Sequence, residues 1–165
     1  MDSIKLRDMA APDIPIIENW PAYPEEFKDL DYALREGGWI SQYSCKVGTE
    51  TYTAEENGVI IGFTILSRDD PDCRRAEFRI ALSPSALGQG LGKKLVGMTL
   101  EKGFMKIDLE EIYLIVRRKN HRAISLYEKS GFRCLGEMRK EINGAMVDLY
   151  EMAIEKRHFW KSKGE

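Results

Sequence analysis

Charge of one sign is missing from this chain of 165 residues: Lys and Arg total 25, Asp and Glu total 27, and the net charge is −2. So even a balance makes no broad field, and nucleic acid is not expected as a partner. Long apolar runs are missing too. None approaches the roughly 18 residues of a membrane span, so no membrane association is expected. The opening stretch, Met1-Asp2-Ser3-Ile4-Lys5, lacks the apolar core of a secretory signal. Cysteine is scarce. Cys45, Cys73 and Cys134 are odd in number, far apart and without a CxxC pair. That argues against a disulfide framework and a cysteine-ligated zinc, and it fits free thiols in the cytoplasm. The two histidines, His121 and His158, have no partners at ligand spacing, so no metal is expected.

What is present is a globular balance, 43% hydrophobic and 32% charged. The length suits one domain over residues 1–165, with a core large enough to need no staple. Charge is uneven along it. Residues 1–45 hold nine acids against four bases, and the basic excess is densest at Arg117-Arg118-Lys119 with Arg122.

The apolar patterning predicts a mixed α/β order. Ile4–Arg7 alternates as a strand. Residues 13–20 suit a short helix capped by Asp13, and residues 25–36 a second one stopped by Gly37-Gly38. Strands follow around Asn57-Gly58, a pair whose backbone suits a tight hairpin. Another strand covers residues 76–82. Gly88 to Gly92 leads into a long helix reaching about Lys106. Residues 111–116 form a strand whose continuous apolar centre suggests burial on both faces. Asn120 can cap the next helix, which ends at Gly131. Two final strands flank Asn143-Gly144. Hairpins mixed with strand–helix–strand crossovers predict a mixed sheet.

The segment Ser83-Pro84-Ser85-Ala86-Leu87-Gly88-Gln89-Gly90-Leu91-Gly92-Lys93-Lys94 ends a strand and opens a helix. Unpaired N–H groups and the positive dipole end meet there, and glycines let an anion come close, so a phosphate cradle is expected. It is not a dinucleotide fingerprint, because Lys93 stands where the third glycine is needed. Nor is it a Walker loop, because Lys94 follows Lys93 in place of Ser or Thr.

Gly90-Leu91-Gly92 resembles the latter half of the [Q/R]-x-x-G-x-[G/A] loop of the GNAT superfamily of N-acetyltransferases; Leu87 departs from its first position. Residues 120–132, Asn120-His121-Arg122-Ala123-Ile124-Ser125-Leu126-Tyr127-Glu128-Lys129-Ser130-Gly131-Phe132, resemble the same family's N-x-x-A-x-x-L-Y-x-K-x-G-F pattern. The resemblance covers the latter half of the chain. It implies the family's fold, a mostly antiparallel sheet of about seven strands flanked by about four helices. It also implies acetyl-CoA as cosubstrate, with the cofactor held by Gly88, Gln89, Gly90, Leu91, Gly92 and Lys93, by Asn120, Ala123 and Lys129, and along the strand edge at Ile80, Ala81 and Leu82. Arg118, Lys119 and Arg122 either join Lys129 on the phosphates or are plain surface.

Acetyl transfer needs a neutral amine, a polarised thioester and a proton for the departing thiolate. The family's matching Tyr implies that Tyr127 supplies that proton. Glu77 can take the amine's proton, directly or through water, or it can instead pair with Arg75 or Arg79. The acceptor region implied by the family runs from about Trp20 to Tyr43, where Trp20, Tyr23, Glu26 and Trp39 could wall a cationic amine. Arg74-Arg75-Ala76-Glu77-Phe78, Tyr113-Leu114-Ile115-Val116 and Ile142-Asn143-Gly144 resemble the bacterial spermidine/spermine N-acetyltransferases. Acetyltransferases of ribosomal-protein N-termini and of aminoglycosides share parts of that pattern. The expected acceptor is therefore a small amine of polyamine type. A non-catalytic acetyl-CoA sensor is the reading from another class. Phe159 and Trp160 are the candidate contact for a homodimer.

Overall fold

The computed structural model describes residues 4–27, 38–44 and 46–163. Seven strands form one sheet: β1 (Ile4–Asp8), β2 (Thr49–Glu56), β3 (Val59–Arg68), β4 (Arg75–Leu82), β5 (Glu111–Arg117), β6 (Arg133–Ile142) and β7 (Ala145–Glu155). Their order in space is β1-β2-β3-β4-β5-β7-β6, and every pairing is antiparallel except β4 with β5. The helices are α1 (Asp13–Glu18), α2 (Trp39–Tyr43), α3 (Leu91–Glu101), α4 (His121–Lys129) and α5 (Lys156–Lys163). β5 is reached from β4 through α3, the helical crossover that a parallel pair requires.

Two apolar clusters sandwich the sheet. On one face Leu95, Val96 and Leu100 of α3 pack on Phe78, Ile112 and Leu114, with the half-buried stripe of α4 (Ile124, Leu126, Tyr127) beside them. On the other face Ile17, Tyr23 and Ile40 pack on Phe63, Ile65 and Ala81. β4 alternates between the two. Ala76 and Phe78 face α3 and α4, whereas Ala81 faces the α1–α2 side. Both Asn-Gly turns have positive φ at both residues, Asn57-Gly58 and Asn143-Gly144, as a two-residue hairpin demands.

Several expectations need correction. Asp13 does not cap α1; it is the first helical residue, and no side chain among the described residues caps that end. Its buried carboxylate instead accepts from both terminal nitrogens of Arg7 at 2.7 and 2.9 Å, the Ala10 N–H at 2.8 Å and the Thr53 hydroxyl at 3.0 Å. The long helix leaves α geometry after Glu101 and ends in a wider π turn over Lys102–Lys106. Gly103 lies in that turn, and a Cβ there would stand 2.8 Å from Ile112 Cδ1, so the turn presses on β5. β5 is fully buried on one face only: Ile112, Leu114 and Val116 are buried, while Tyr113 and Ile115 are half-buried. Phe159 is not free for a dimer contact. It is 5% exposed, with its ring 5.2 Å from that of Phe104, which leaves Trp160 as the exposed member. Neither α2 nor α5 was anticipated. The helix expected over residues 25–36 falls mostly outside the described residues; residues 25–27 form a single 3₁₀ turn. Cys73 and Cys134 are free thiols, half-buried and exposed.

The Asp13 cluster ties β1, α1 and β2 together and makes stability acid-sensitive. Hydrogen bonds from Arg7, then from Ala10 and Thr53, outweigh burial and hold the Asp13 carboxyl at about 2, below its usual 3.8. A group depressed in the folded state adds stability above its unfolded pKa and loses it as pH falls through the folded one. The contribution, about 2 kcal/mol, should be complete above about pH 4–5 and gone near pH 2. Chemical denaturation of Asp13→Asn against the parent should show that gap at pH 7 and show it closing by pH 2. An equal gap at both pH values would contradict the assignment.

Candidate active site

β4 and β5 pair over three residues only: Arg75 with Glu111, Ala76 with Ile112 and Glu77 with Tyr113. Beyond Glu77 both strands continue, β4 on β3 to Leu82 and β5 on β7 to Arg117. The hydrogen bonds between them stop while the strands run on, so a V opens between two backbone edges. Phe78 lies at its fork, and Ile80, Ala81 and Leu82 line one arm. Beyond Glu77 this edge of β4 has no ladder partner among the described strands, and an extended ligand can pair there as an added strand.

At the open end of that arm the chain turns through Pro84–Ala86 and reaches α3. Gly88 and Gly90 both have φ +75°, and Gly90 is the N-cap. Left-handed backbone on either side of Gln89 turns the loop's amides to the outside. Among the described residues no side chain caps this end of α3, and a Cβ built on Gly88 or Gly90 would meet nothing within 4 Å. The first-turn N–H groups of Leu91, Gly92 and Lys93 have no partner within the helix and carry the positive end of its dipole. Gln89 folds back on its own loop, its amide donating to the Ser85 carbonyl at 2.9 Å. Lys93 is exposed at the helix surface.

α4 closes the second side. A Cβ on Gly92 would come within 3.2 Å of Leu126 Cδ2, so the glycine lets α3 and α4 pack closely. Asn120 caps α4, its Oδ1 accepting the Ala123 N–H at 3.1 Å. One helical turn after Ala123 comes Tyr127. Its ring stands edge-on to Phe78 at 6.3 Å and to Phe132 at 5.7 Å. The phenol is thus carried to the fork of the V, on the α3–α4 face of β4. Lys129 lies in the last turn of α4, at the far end from Asn120, and is exposed.

Glu77 projects from the opposite face of β4, the α1–α2 face, with only β4 between it and the phenol. Of the two partners open to it, it takes Arg79, at 3.0 Å. Arg75 is engaged elsewhere, with Glu151 at 2.8 Å, Glu111 at 3.4 Å and the Tyr113 ring 3.7 Å below its guanidinium. Burial, and then the charges of Glu77 and Asp69, push Tyr113 up to about 12 against the relief given by Arg75 and Arg79, so it is a neutral phenol beside the site.

The expected acceptor residues gather on this second face, in varied states. Trp20 stacks on Phe63 at 6.3 Å, and Trp39 meets the same ring edge-on at 6.5 Å. Tyr23 is buried, and its hydroxyl donates to the Leu82 carbonyl, so it braces the arm of the V from beneath. Glu26 is exposed on the 3₁₀ turn. The aromatic faces already carry protein cations. The Arg79 guanidinium lies 4.3 Å from the Tyr43 ring and 5.9 Å from that of Trp39, and Arg122 lies 4.9 Å from Phe27. The sequence offers a signal for Arg79: Arg75, Glu77 and Arg79 alternate on one strand face. Nothing local announces that α2 brings Tyr43 over it.

A strand pair splayed beside an uncapped glycine-led helix matches a known arrangement. Residues 16–132 match the acetyltransferase (GNAT) family. The chain belongs to that family. Among curated relatives, spermidine N(1)-acetyltransferase of Escherichia coli K12 is 40% identical over 83 residues, 49% of this chain and 45% of that protein. N-alpha-acetyltransferase RimI of Mycobacterium tuberculosis is 29% identical over 101 residues, 60% of this chain and 61% of that protein. The chain thus aligns with about half the length of the curated spermidine enzymes it matches. Among solved structures, mutant forms of the spermidine/spermine N-acetyltransferase SpeG from Vibrio cholerae superpose with a TM-score of 0.78 at 25% identity, covering 97% of this chain and 99% of that one. The GNAT fold read from the glycine loop and the residues 120–132 pattern is therefore the fold observed. No described helix is long and apolar enough to cross a membrane.

Proposed function

We propose that this GNAT chain transfers the acetyl group of acetyl-CoA to the primary amine of a small, polyamine-type acceptor, by direct attack in a ternary complex. The observation that carries this is the V between β4 and β5, with amide donors at its open end and a phenol at its fork. The diphosphate of the cofactor sits on the α3 amides of Gly88 to Lys93, and Asn120 and Ala123 flank the arm. The pantetheine chain runs along Ile80, Ala81 and Leu82. The thioester then lies near Phe78, within reach of Tyr127 on one side and open to the Glu77 face on the other.

The amine arrives across the α1–α2 face and loses a proton toward Glu77, directly or through water. Its nitrogen attacks the thioester carbonyl, the C–S bond breaks, and the Tyr127 phenol protonates the departing thiolate. Ordinary phenols and aliphatic thiols titrate close together, so the transfer is nearly balanced. Holding both substrates in one cleft supplies much of the remaining acceleration. The curated spermidine enzymes support a polyamine-type acceptor, and the RimI likeness favours a peptide N-terminus as the second reading. The free thiols and an acetyl-CoA cosubstrate suit the cytoplasm.

Coupled thiol release with acetyl-CoA and a panel of spermidine, an aminoglycoside and a free-N-terminus peptide tests this. Amine-dependent release, fastest with spermidine, is expected. Release fastest with the peptide would favour the N-terminal reading. Calorimetric binding of acetyl-CoA with no release on any amine would leave a sensor in place of an enzyme.

A further inference from the structure

The chain that follows α1 touches both sides of the V, and the proposed mechanism gives it no part in handling the cofactor. Its first anchor is on β4. Ser83 donates its N–H to the Ile61 carbonyl at 2.9 Å, on the β3 side. Successive residues of a strand turn their backbone groups to opposite edges, so the Leu82 carbonyl points the other way, toward the V. Tyr23, only 5% exposed, donates its hydroxyl to that carbonyl.

The second anchor is on α4. The 3₁₀ turn at residues 25–27 brings Phe27 to Arg122, whose guanidinium lies 4.9 Å from the ring centre. These two residues belong to opposite layers. Phe27 packs with the α1–α2 cluster, whereas α4 packs through Ala123, Ile124 and Leu126 on the α3 side. A continuous sheet keeps its two layers apart. They can meet only where it has parted or ended, and the open end of the V is such a place: Leu82 is the last residue of β4, and Arg122 is in the first turn of the helix that follows β5.

Both anchors stand beside the first turn of α3. A Cβ on Gly92 would meet Leu126 Cδ2 at 3.2 Å and Leu82 Cδ1 at 3.9 Å. Arg122 lies one turn before Leu126 on the same face of α4. Residues 23–27 therefore pass over the point where a diphosphate on α3 would join an arm running along β4. Among the described residues Arg122 has no ion-pair partner, and the Phe27 ring is the contact that fixes its guanidinium.

We infer that residues 23–27 are a strap across the cofactor slot, latched by Phe27 on Arg122, and that acetyl-CoA enters and leaves when the latch parts. This rests on the cofactor placement proposed above. The two anchors differ in strength. Tyr23 is buried and bonded to backbone, whereas Phe27 is half-buried and holds α4 through a single cation–ring contact. The latch joins two protein groups, so it favours the closed strap by the same amount whether or not the slot is filled. It should set the speed of cofactor exchange and leave the affinity alone.

Stopped-flow association and dissociation of CoA itself, on the full chain, test this. Phe27→Leu keeps an apolar side chain on the α1–α2 cluster and takes the ring face from Arg122. Both rate constants should rise together, roughly 3- to 30-fold, with Kd unchanged. Phe27→Tyr, which restores a ring, should keep the rates of the parent. A rise in dissociation alone would make Phe27 a plain wall of the site, and rates unmoved in Phe27→Leu would make the contact idle; either result overturns the inference. A double-mutant cycle isolates the contact. With Arg122→Gln already in place, Phe27→Leu should alter neither rate, and the same rise in that background would overturn the latch. A parent that binds CoA but releases no thiol with any amine defeats the proposed transfer and leaves these rates to judge the strap. A parent that binds no CoA defeats the cofactor placement and the strap together.

Discussion

Tyr127→Phe should lower turnover by roughly 10²–10⁴-fold, the usual weight of a positioned general acid, and leave acetyl-CoA affinity nearly unchanged. The substitution removes one oxygen. The ring itself is held edge-on by Phe78 and Phe132 at 6.3 and 5.7 Å, contacts that phenylalanine keeps. The geometry of the fork therefore survives, and so does the packing of α4 on α3. What is lost is a proton donor on the side of β4 where the sulfur would leave. Without it the thiolate departs unprotonated, or waits for a water that the apolar neighbours hold off. The loss should fall on kcat, because it concerns an interaction made only as the C–S bond breaks. Steady-state thiol release with calorimetry of acetyl-CoA binding separates the two quantities. A folded Phe variant with undiminished turnover would remove the role from Tyr127.

Gly90→Val should show the converse, with acetyl-CoA bound roughly 100-fold less tightly. Gly90 is the α3 N-cap at φ +75°, a region that a β-branched residue enters only under strain. No neighbour would obstruct the new side chain, since a Cβ there meets nothing within 4 Å. The harm is conformational: the loop must relax away from the left-handed turn, and the amides it aims are lost as a set. Gly58 provides the control. It too has positive φ, +81°, and open space around it, but it sits in the β2–β3 hairpin away from the cleft. Gly58→Val should lose comparable stability and keep its affinity. Equal affinity in Gly90→Val and the parent would separate the glycine loop from the cofactor.

The glycine loop, the capped α4 and both Asn-Gly hairpins were legible because each is set by local chemistry. Positive φ, an uncapped helix start and the bond from Ala123 N–H to the Asn120 side chain are properties of a few adjacent residues. The sheet class followed from those elements and their order. Other features depend on distant residues and were not legible. Asp13 looks like a helix cap in sequence, but Arg7 and Thr53, brought by β1 and β2, claim its carboxylate. The apolar run of β5 reads as doubly buried, but α3 and α4 cover one face, and on the other Tyr113 lies under Arg75. Phe159 reads as a free aromatic until the π turn delivers Phe104 to it. In the site, the phenol and the cradle were named from pattern. The choice of Arg79 over Arg75 by Glu77 depends on Glu111 and Glu151, which claim Arg75, and the stacking of Arg79 on Tyr43 depends on α2, a helix too short to announce itself.

A crystal structure with coenzyme A bound puts the central claim to its most direct test. The diphosphate should rest on the amides between Gly88 and Lys93, the pantetheine should pair with the β4 edge at Ile80 to Leu82, and the sulfur should lie within hydrogen-bond reach of the Tyr127 hydroxyl. A diphosphate lodged away from α3, or a sulfur on the far side of β4 from that hydroxyl, would contradict the account.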